Sequence, residues 1–234
     1  MTKLIVTDLT RFSTRDKVCI AGIDIDTGEC IRPMPYIKYE TCEKVGLIPG
    51  AIIEGTFKKT PHTEAPHTED MYYSNLKYIK SCSKNEFYDV LSESAFDSVE
   101  KGFDIKLQPK QKHLPAGHDI NHSIITLSIR PSSVEISENK FKKGKINISF
   151  CDNTGKWLNN LSITDLGFHD YAMEKHGLNK LDEINEFIND QEEVFIRLGI
   201  GRKFQPKSQP DGYWLQVNGI YTFPNYFEEI RVYK

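Results

Sequence analysis

Val194-Phe195-Ile196-Arg197-Leu198-Gly199, the turn Gly201-Arg202-Lys203, and Tyr213-Trp214-Leu215-Gln216-Val217-Asn218-Gly219-Ile220-Tyr221-Thr222-Phe223 read as two strands joined by a basic glycine turn. Side chains alternate between the faces of a strand, so Val194, Ile196 and Leu198 share one face of core character. Tyr213, Leu215, Val217, Tyr221 and Phe223 do the same in the second strand. Phe195, Arg197, Trp214, Gln216 and Asn218 are left on the opposite faces. A flat aromatic beside a guanidinium and two side-chain amides can stack on a base and hydrogen-bond its edge. The alternative use of such a face is packing against another part of the same protein.

Working outward, Ile124 to Ile136 is β-rich, Lys145 to Phe150 is a short strand, and Trp157 to Thr164 follows the turn Cys151-Asp152-Asn153-Thr154-Gly155. Leu178, Leu181, Ile184, Phe187 and Ile188 then recur at three- and four-residue steps, which predicts an amphipathic helix ending before Glu193. Three strands, a helix and two strands is the element order of an OB-fold, a small five-stranded Greek-key barrel.

The first half reads the same way. Leu4 to Phe12, Val18 to Ile25 and Glu29 to Met34 are strand-like, with an Asp26-Thr27-Gly28 turn between the last two. A short helix is predicted near Tyr39 to Val45, then strands over Ala51 to Thr60 and Tyr72 to Ile79. Asn85 to Gly102 is a further helix, with Phe87, Val90, Leu91, Ala95 and Val99 on one stripe, placed to brace the two barrels. Polar Lys106 to His122, with Pro109, Pro115 and Gly117, is the candidate linker. The expected fold is mainly β with α additions (α+β): two OB-like five-stranded barrels in tandem with bracing helices. Residues 1–118 hold the first barrel, helix and linker, and residues 119–234 the second barrel. Thr164-Asp165-Leu166 echoes Thr7-Asp8-Leu9, too short an echo to establish duplication.

Composition agrees with a folded, soluble chain. Its 234 residues are 38% hydrophobic, 27% charged and 11% aromatic. No apolar run reaches the roughly 18 residues of a membrane span, and Met1-Thr2-Lys3 leads into a strand instead of a signal-peptide core, so a cytoplasmic protein with no membrane partner is expected. Cys19, Cys30, Cys42, Cys82 and Cys151 include no close pair, which points to reduced thiols and away from a zinc site or disulfide framework.

A net charge of −3 does not announce a nucleic-acid binder, but its distribution is segregated. Lys140, Lys142, Lys143 and Lys145 fall together, as do Arg202, Lys203 and Lys207. Asp182, Glu183, Glu186, Asp190, Glu192 and Glu193 form an acidic stretch. In OB-folds the ligand crosses strands 2 and 3 between the loops that join strands 1 to 2 and 4 to 5. In the second half those loops are Ser137 to Gly144 and Gly201 to Gly212, the ones that carry the lysines and Arg202. A cleft framed by them would bind a polyanion with salt-sensitive affinity. Trp157, Phe204 and Trp214 are the aromatics placed for stacking, and core packing is the alternative for each.

The corresponding loops of the first half carry Arg11, Arg15 and Lys17, and a doubled motif: Pro61-His62-Thr63-Glu64 and Pro66-His67-Thr68-Glu69, followed by Asp70. Histidine and carboxylate are ligand types for zinc, manganese or iron, and His113, His118 and His122 could join them. The spacing matches no established ligand motif, and two prolines also suit a rigid surface connection. No Walker A loop, dinucleotide fingerprint, nucleophile elbow or HExxH helix occurs.

Val18-Cys19-Ile20-Ala21-Gly22-Ile23-Asp24, Asp26-Thr27-Gly28-Glu29 and Ile31-Arg32-Pro33 resemble the opening of the prokaryotic dual OB-containing domain proteins. Pro66-His67-Thr68-Glu69-Asp70, Ile163-Thr164-Asp165-Leu166, Leu198-Gly199-Ile200-Gly201-Arg202 and Trp214 to Tyr221 extend the resemblance over nearly the whole chain. The family's glycine turn often has threonine before its arginine, where this chain has Gly201. The resemblance implies two OB-like barrels and, by fold analogy, an association with nucleic acids or nucleotides. It carries over no catalytic residue and implies no cofactor.

The expectation is a non-catalytic protein that binds single-stranded nucleic acid or a nucleotide-like ligand. Lys140, Lys142, Lys143, Arg197, Arg202 and Lys203 would supply cations, Trp157 and Trp214 stacking, and Gln216 and Asn218 edge recognition. The competing readings are a metal-dependent hydrolase or nuclease centred on His62, His67, Glu69 and Asp70, and an adaptor that buries Phe195 and Trp214 against a protein partner.

Overall fold

Strand β1 (Thr2–Arg11) is buried on both faces, which organises the molecule around it. Its Leu4 and Val6 enter one hydrophobic core while the intervening Ile5 joins another. The computed structural model describes residues 1–14, 16–61, 64–140, 142–206 and 211–233. Arg15, His62 and Lys207 lie outside the described residues.

In the first sheet β1 is followed by β2 (Lys17–Asp24), β3 (Cys30–Met34), β4 (Ile37–Lys38), helix α1 (Tyr39–Val45), β5 (Ala51–Lys59) and β6 (Asp70–Ser81). The order β1-β5-β6-β3-β2 is closed by a β1–β2 pairing, and β4 adds to β2. Only β3–β6 is parallel. This is a closed five-stranded barrel with the predicted helix between its third and fourth long strands. Helix α1 stops at Gly46, whose φ of 76° is a left-handed conformation that glycine adopts without a Cβ penalty. The barrel core holds Leu4, Val6, Ile20, Ile31 and Ile53, together with Leu166 from the second half.

After β6 the chain departs from expectation in its helices. Asn85 to Gly102 is two helices, α2 (Lys84–Glu93) and α3 (Val99–Phe103), separated by the two-residue strand β7 (Ala95–Phe96). Helix α2 begins with a reciprocal cap between Ser83 and Glu86. It ends where the Ser94 hydroxyl turns back to Val90 and Leu91 carbonyls and meets Thr126 Oγ1, which lets β7 pair with the next long strand. The expected linker contains β8 (His113–Pro115). There follow β9 (Ile124–Ile129), a 3-10 turn Pro131–Ser133, β10 (Val134–Glu138), β11 (Ile146–Cys151) and β12 (Trp157–Ile163). Next comes α4 (Leu166–Gly177), a helix the periodicity did not show, capped by the Asp165 carboxylate on Phe168 N–H. The predicted helix is α5 (Leu181–Asn189), with Ile184 and Ile188 buried, and β13 (Glu193–Ile200) and β14 (Gly212–Phe223) end the sheet.

The second sheet runs β10-β11-β12-β14-β13-β9-β7, with β8 on β14. It is open: β10 and β9 stand at the two ends of the six-strand path β10-β11-β12-β14-β13-β9, joined by the turn and not by a ladder, so hydrogen-bonded closure is shown for the first barrel alone. The larger core draws Phe87, Leu91, Val99, Phe103 and Leu114 from α2, α3 and β8 against Val194, Ile196 and Leu198 of β13 and Val217 of β14. The two halves are also stitched directly. Tyr221 Oη donates to the Thr7 carbonyl at 2.7 Å, Arg11 N–H to the Thr164 carbonyl at 2.9 Å, and Thr10 bridges Asp165. All five cysteines are free. No helix among the described residues is long and apolar enough to cross a membrane.

Candidate nucleic-acid interface

The outward face of β11, β12 and β14 follows from their register. Ile148, Phe150, Leu158 and Leu161 are buried, and Asn147 pairs with Ser162, which in turn pairs with Gln216. Directly opposed residues share a face, so Asn147, Ser162 and Gln216 form one polar row, in which Asn147 is buried and Ser162 and Gln216 are partly exposed. Trp157, opposite Cys151 at the start of β12, belongs to the same side and is 51% exposed.

Trp214 lies two residues before Gln216 and so shares this face. It pairs with His113 of β8, and the two rings stack at 5.0 Å with an interplanar angle of 29°. The indole Nε1 is buried with no hydrogen-bond partner. Around the stack an open groove of about 700 Å³ is lined by Gln108, Lys110, Lys112, His113 and Pro115. Lys112 is held below the ordinary lysine range by burial. The loop between β13 and β14 is pinched by paired main-chain hydrogen bonds of Phe204 and Gly212 and by a Lys203–Asp211 ion pair at 2.9 Å. Phe204 is 61% exposed on it.

Not every expected contact reaches this face. Arg197 is 1% exposed: its Nε donates to Asp8 Oδ2 at 2.9 Å and its Nη1 to Thr126 Oγ1 at 2.8 Å. Its cation neutralises a carboxylate of the first barrel. Asn218 is buried, accepting from the Thr164 hydroxyl and from Gln216, and its amide fills the space that a Cβ on Gly199 would need. Phe195 packs edge-on against Tyr88 and Phe223. Arg202 bonds Asp70 Oδ2 at 2.7 Å, half exposed at the junction of the halves. Lys140, Lys142 and Lys143 are exposed on the turn between β10 and β11, at the end of β12 opposite to Trp157. The structure therefore brings Trp157, Trp214 and Gln216 onto one face and assigns Arg197 and Asn218 to its packing.

The histidine-carboxylate loop is a joint. Asp70 accepts from Arg32 Nε through Oδ1 and from Arg202 through Oδ2; burial works to raise its pKa, but the two guanidiniums outweigh it and hold the carboxyl below its usual range. Arg32 Nη2 lies 3.1 Å from His67 Nδ1; a guanidinium can only donate, so the His67 proton sits on Nε2. Burial, then repulsion from Arg202 and Arg32, lowers the His67 pKa to about 3. Glu69 accepts from the Ser123 and Ile124 amides and the Ser123 hydroxyl, capping the start of β9. Among the described residues no group of three or more His, Cys, Asp or Glu is arranged to hold a metal ion.

Sequence reasoning missed His113 as a stacking partner, with Lys110 and Lys112. The available signal was Leu114, a fully buried apolar residue in a polar stretch, which marks a short strand with His113 on its other face.

A family model described as the dual OB-containing domain matches residues 4–220. No curated protein matches the chain. A solved murine chain, described as "Structure of murine DNA binding protein bound with ds DNA", aligns over 94% of this chain and 95% of its own at 11% identity, with a TM-score of 0.34.

Proposed function

The chain belongs to the dual OB-containing domain family, and from that premise we propose that it binds nucleic acid, holding a single strand across the outward face of β12 and β14. The observation that carries this reading is the Trp214–His113 stack set in a groove with Lys110 and Lys112. It supplies a flat surface for a base with cations at its edge, the combination that binds single strands with little sequence preference. Trp157 and Phe204 offer further exposed rings, and Gln216 a side-chain amide for a base edge. Lys140, Lys142, Lys143 and Lys203 are assigned to phosphates. We read β9 and β10 as one first strand broken at Pro131, so that the second sheet follows the barrel plan of the first with its closure through the chain. On this plan β11 and β12 are its second and third strands, where OB-folds receive their ligands.

Fluorescence anisotropy of a labelled single-stranded deoxythymidine 15-mer, at two salt concentrations, tests the reading. Trp214→Ala is expected to cost roughly 1–3 kcal/mol of binding, a loss of about 5- to 150-fold. Binding by the parent protein that Trp214→Ala leaves unchanged, or no binding at low salt, refutes it.

A further inference from the structure

We propose that the groove between the first barrel and α2 is a docking site for an extended, lysine- and arginine-rich segment of a partner protein, held between an apolar floor and a carboxylate rim.

Two cavities adjoin there. One, of about 450 Å³, lies between the β2–β3 turn and α2, and the other, of about 460 Å³, continues past β7 to β9. Ile23, Gly28, Glu93 and Ser94 line both, so the two form one groove. Its floor is apolar. Ile5 and Ile23 are buried at its base, and Ile25 and Phe96 reach solvent with 45% and 38% exposure. Exposed apolar side chains of this size, rimmed by polar groups, gain free energy when a partner covers them.

The rim is acidic. Asp26 and Glu29 flank the β2–β3 turn, Asp89 and Glu93 stand one helical turn apart on α2, and all four are exposed. Among the described residues none of the four has a cationic side chain within ion-pair distance, whereas Glu86 beside them is paired with Lys80 at 3.3 Å. Of the described lysines and arginines, Lys59 and Arg197 line the groove, and the charge of Arg197 is neutralised by Asp8. Gathered like charges repel one another, and a cationic partner removes that repulsion. The main chain favours a peptide over a simple polycation. Strand β7 ends the second sheet, is hydrogen-bonded along one side only, to β9, and lines the groove. An unpaired strand edge receives an extended segment, whose alternate side chains then turn to the floor and to the rim. None of these residues belongs to the stacking face of β12 and β14, so docking here is independent of nucleic-acid binding.

Calorimetric titration of the full chain at low salt tests the site with an acetylated, amidated hexapeptide of alternating lysine and valine. Saturable one-to-one binding is expected. The same peptide with serine in place of valine should bind about tenfold more weakly or worse, since burying even one valine side chain is worth that much. Asp89→Lys/Glu93→Lys, two exposed positions, should weaken the lysine-valine peptide by about tenfold, because an exposed ion pair is worth up to about fivefold and reversal adds repulsion. Ile25→Ser should weaken it severalfold while leaving spermine binding unchanged. Absence of saturable binding, or binding that Asp89→Lys/Glu93→Lys leaves unaltered, overturns the site. Equal affinity for the serine peptide, or for spermine, shows a polycation surface only and overturns the docked segment.

Discussion

Replacing Arg197 by methionine separates a packing role from a nucleic-acid contact. The guanidinium is enclosed by Asp8, Thr126 and Cys30, and Asp8 is itself fully buried. Asp8 Oδ1 already lacks a partner, and without Arg197 its Oδ2 would keep only the Thr7 hydroxyl at 2.7 Å. Leaving one partner of a buried ion pair uncompensated costs about 3–5 kcal/mol. For a chain of this length each kcal/mol lowers Tm by roughly 2–4 °C, so Arg197→Met should lower it by ~6–20 °C. Thermal and urea unfolding at pH 7 measure the loss. The companion variant Asp8→Asn should also destabilise, and the Asp8→Asn/Arg197→Met pair should lose less than the sum of the singles, since the double variant removes both charges. A loss below about 1 kcal/mol, or additive single losses, would refute the buried-pair argument. A phosphate contact would behave oppositely, lowering the salt slope of oligonucleotide binding with Tm unchanged.

The pH dependence of stability has two opposing contributions. Burial raises the Asp165 pKa to about 7, so between about 4 and 7 the folded state binds more protons than the unfolded chain and stability falls as pH rises; Asp165→Asn should flatten that decline in urea titrations across this window. His67 has the reverse sign: with its folded pKa lowered to about 3 from an ordinary 6.5, its contribution is complete above 6.5 and is lost as pH falls toward 3, and His67→Gln should remove that part of the acid limb. Gly50 has φ of 85° and a built Cβ would lie 1.9 Å from Arg231 Nη2, whose guanidinium stacks over Phe87 at 4.2 Å. Gly50→Ala should therefore cost about 1–2 kcal/mol in backbone strain alone, read as a lower urea midpoint. Ser83→Ala should cost about 1 kcal/mol through loss of the α2 cap, measured the same way.

Helix α4 shows why one element escaped the periodic signal. Its buried residues, Leu166, Phe168 and Ala172, sit among Gly167, His169 and Tyr171, so no apolar stripe stands out. Asp165 was the cue, a capping residue directly after a strand. The break after α2 had a similar cue in Ser94 and in Ser98, which caps α3. Both were outweighed by an apolar spacing that continued through Ala95 and Val99. For the candidate interface, Trp157, Trp214 and Gln216 were legible because alternation along β12 and β14 places them opposite the core residues.

Local sequence determined the long strands, the turn between β2 and β3 and the α1 stop at Gly46, because alternation and turn chemistry act over a few residues. It did not determine the faces of β14: the register shift between Arg197 and Leu198 sets Tyr221 and Phe223 opposite Phe195 and Glu193, not on the face of Leu215 and Val217 where unbroken alternation put them. Tertiary structure alone decided what covers each polar face. Arg197 and Gln216 look equally suited to solvent in a linear reading. One meets Asp8, 189 residues away in sequence, and is sealed inside, whereas the other stays beside Ser162 on the outward row. A polar side chain is satisfied equally by water, a ligand or a buried partner, and only the packing of one half against the other selects among them.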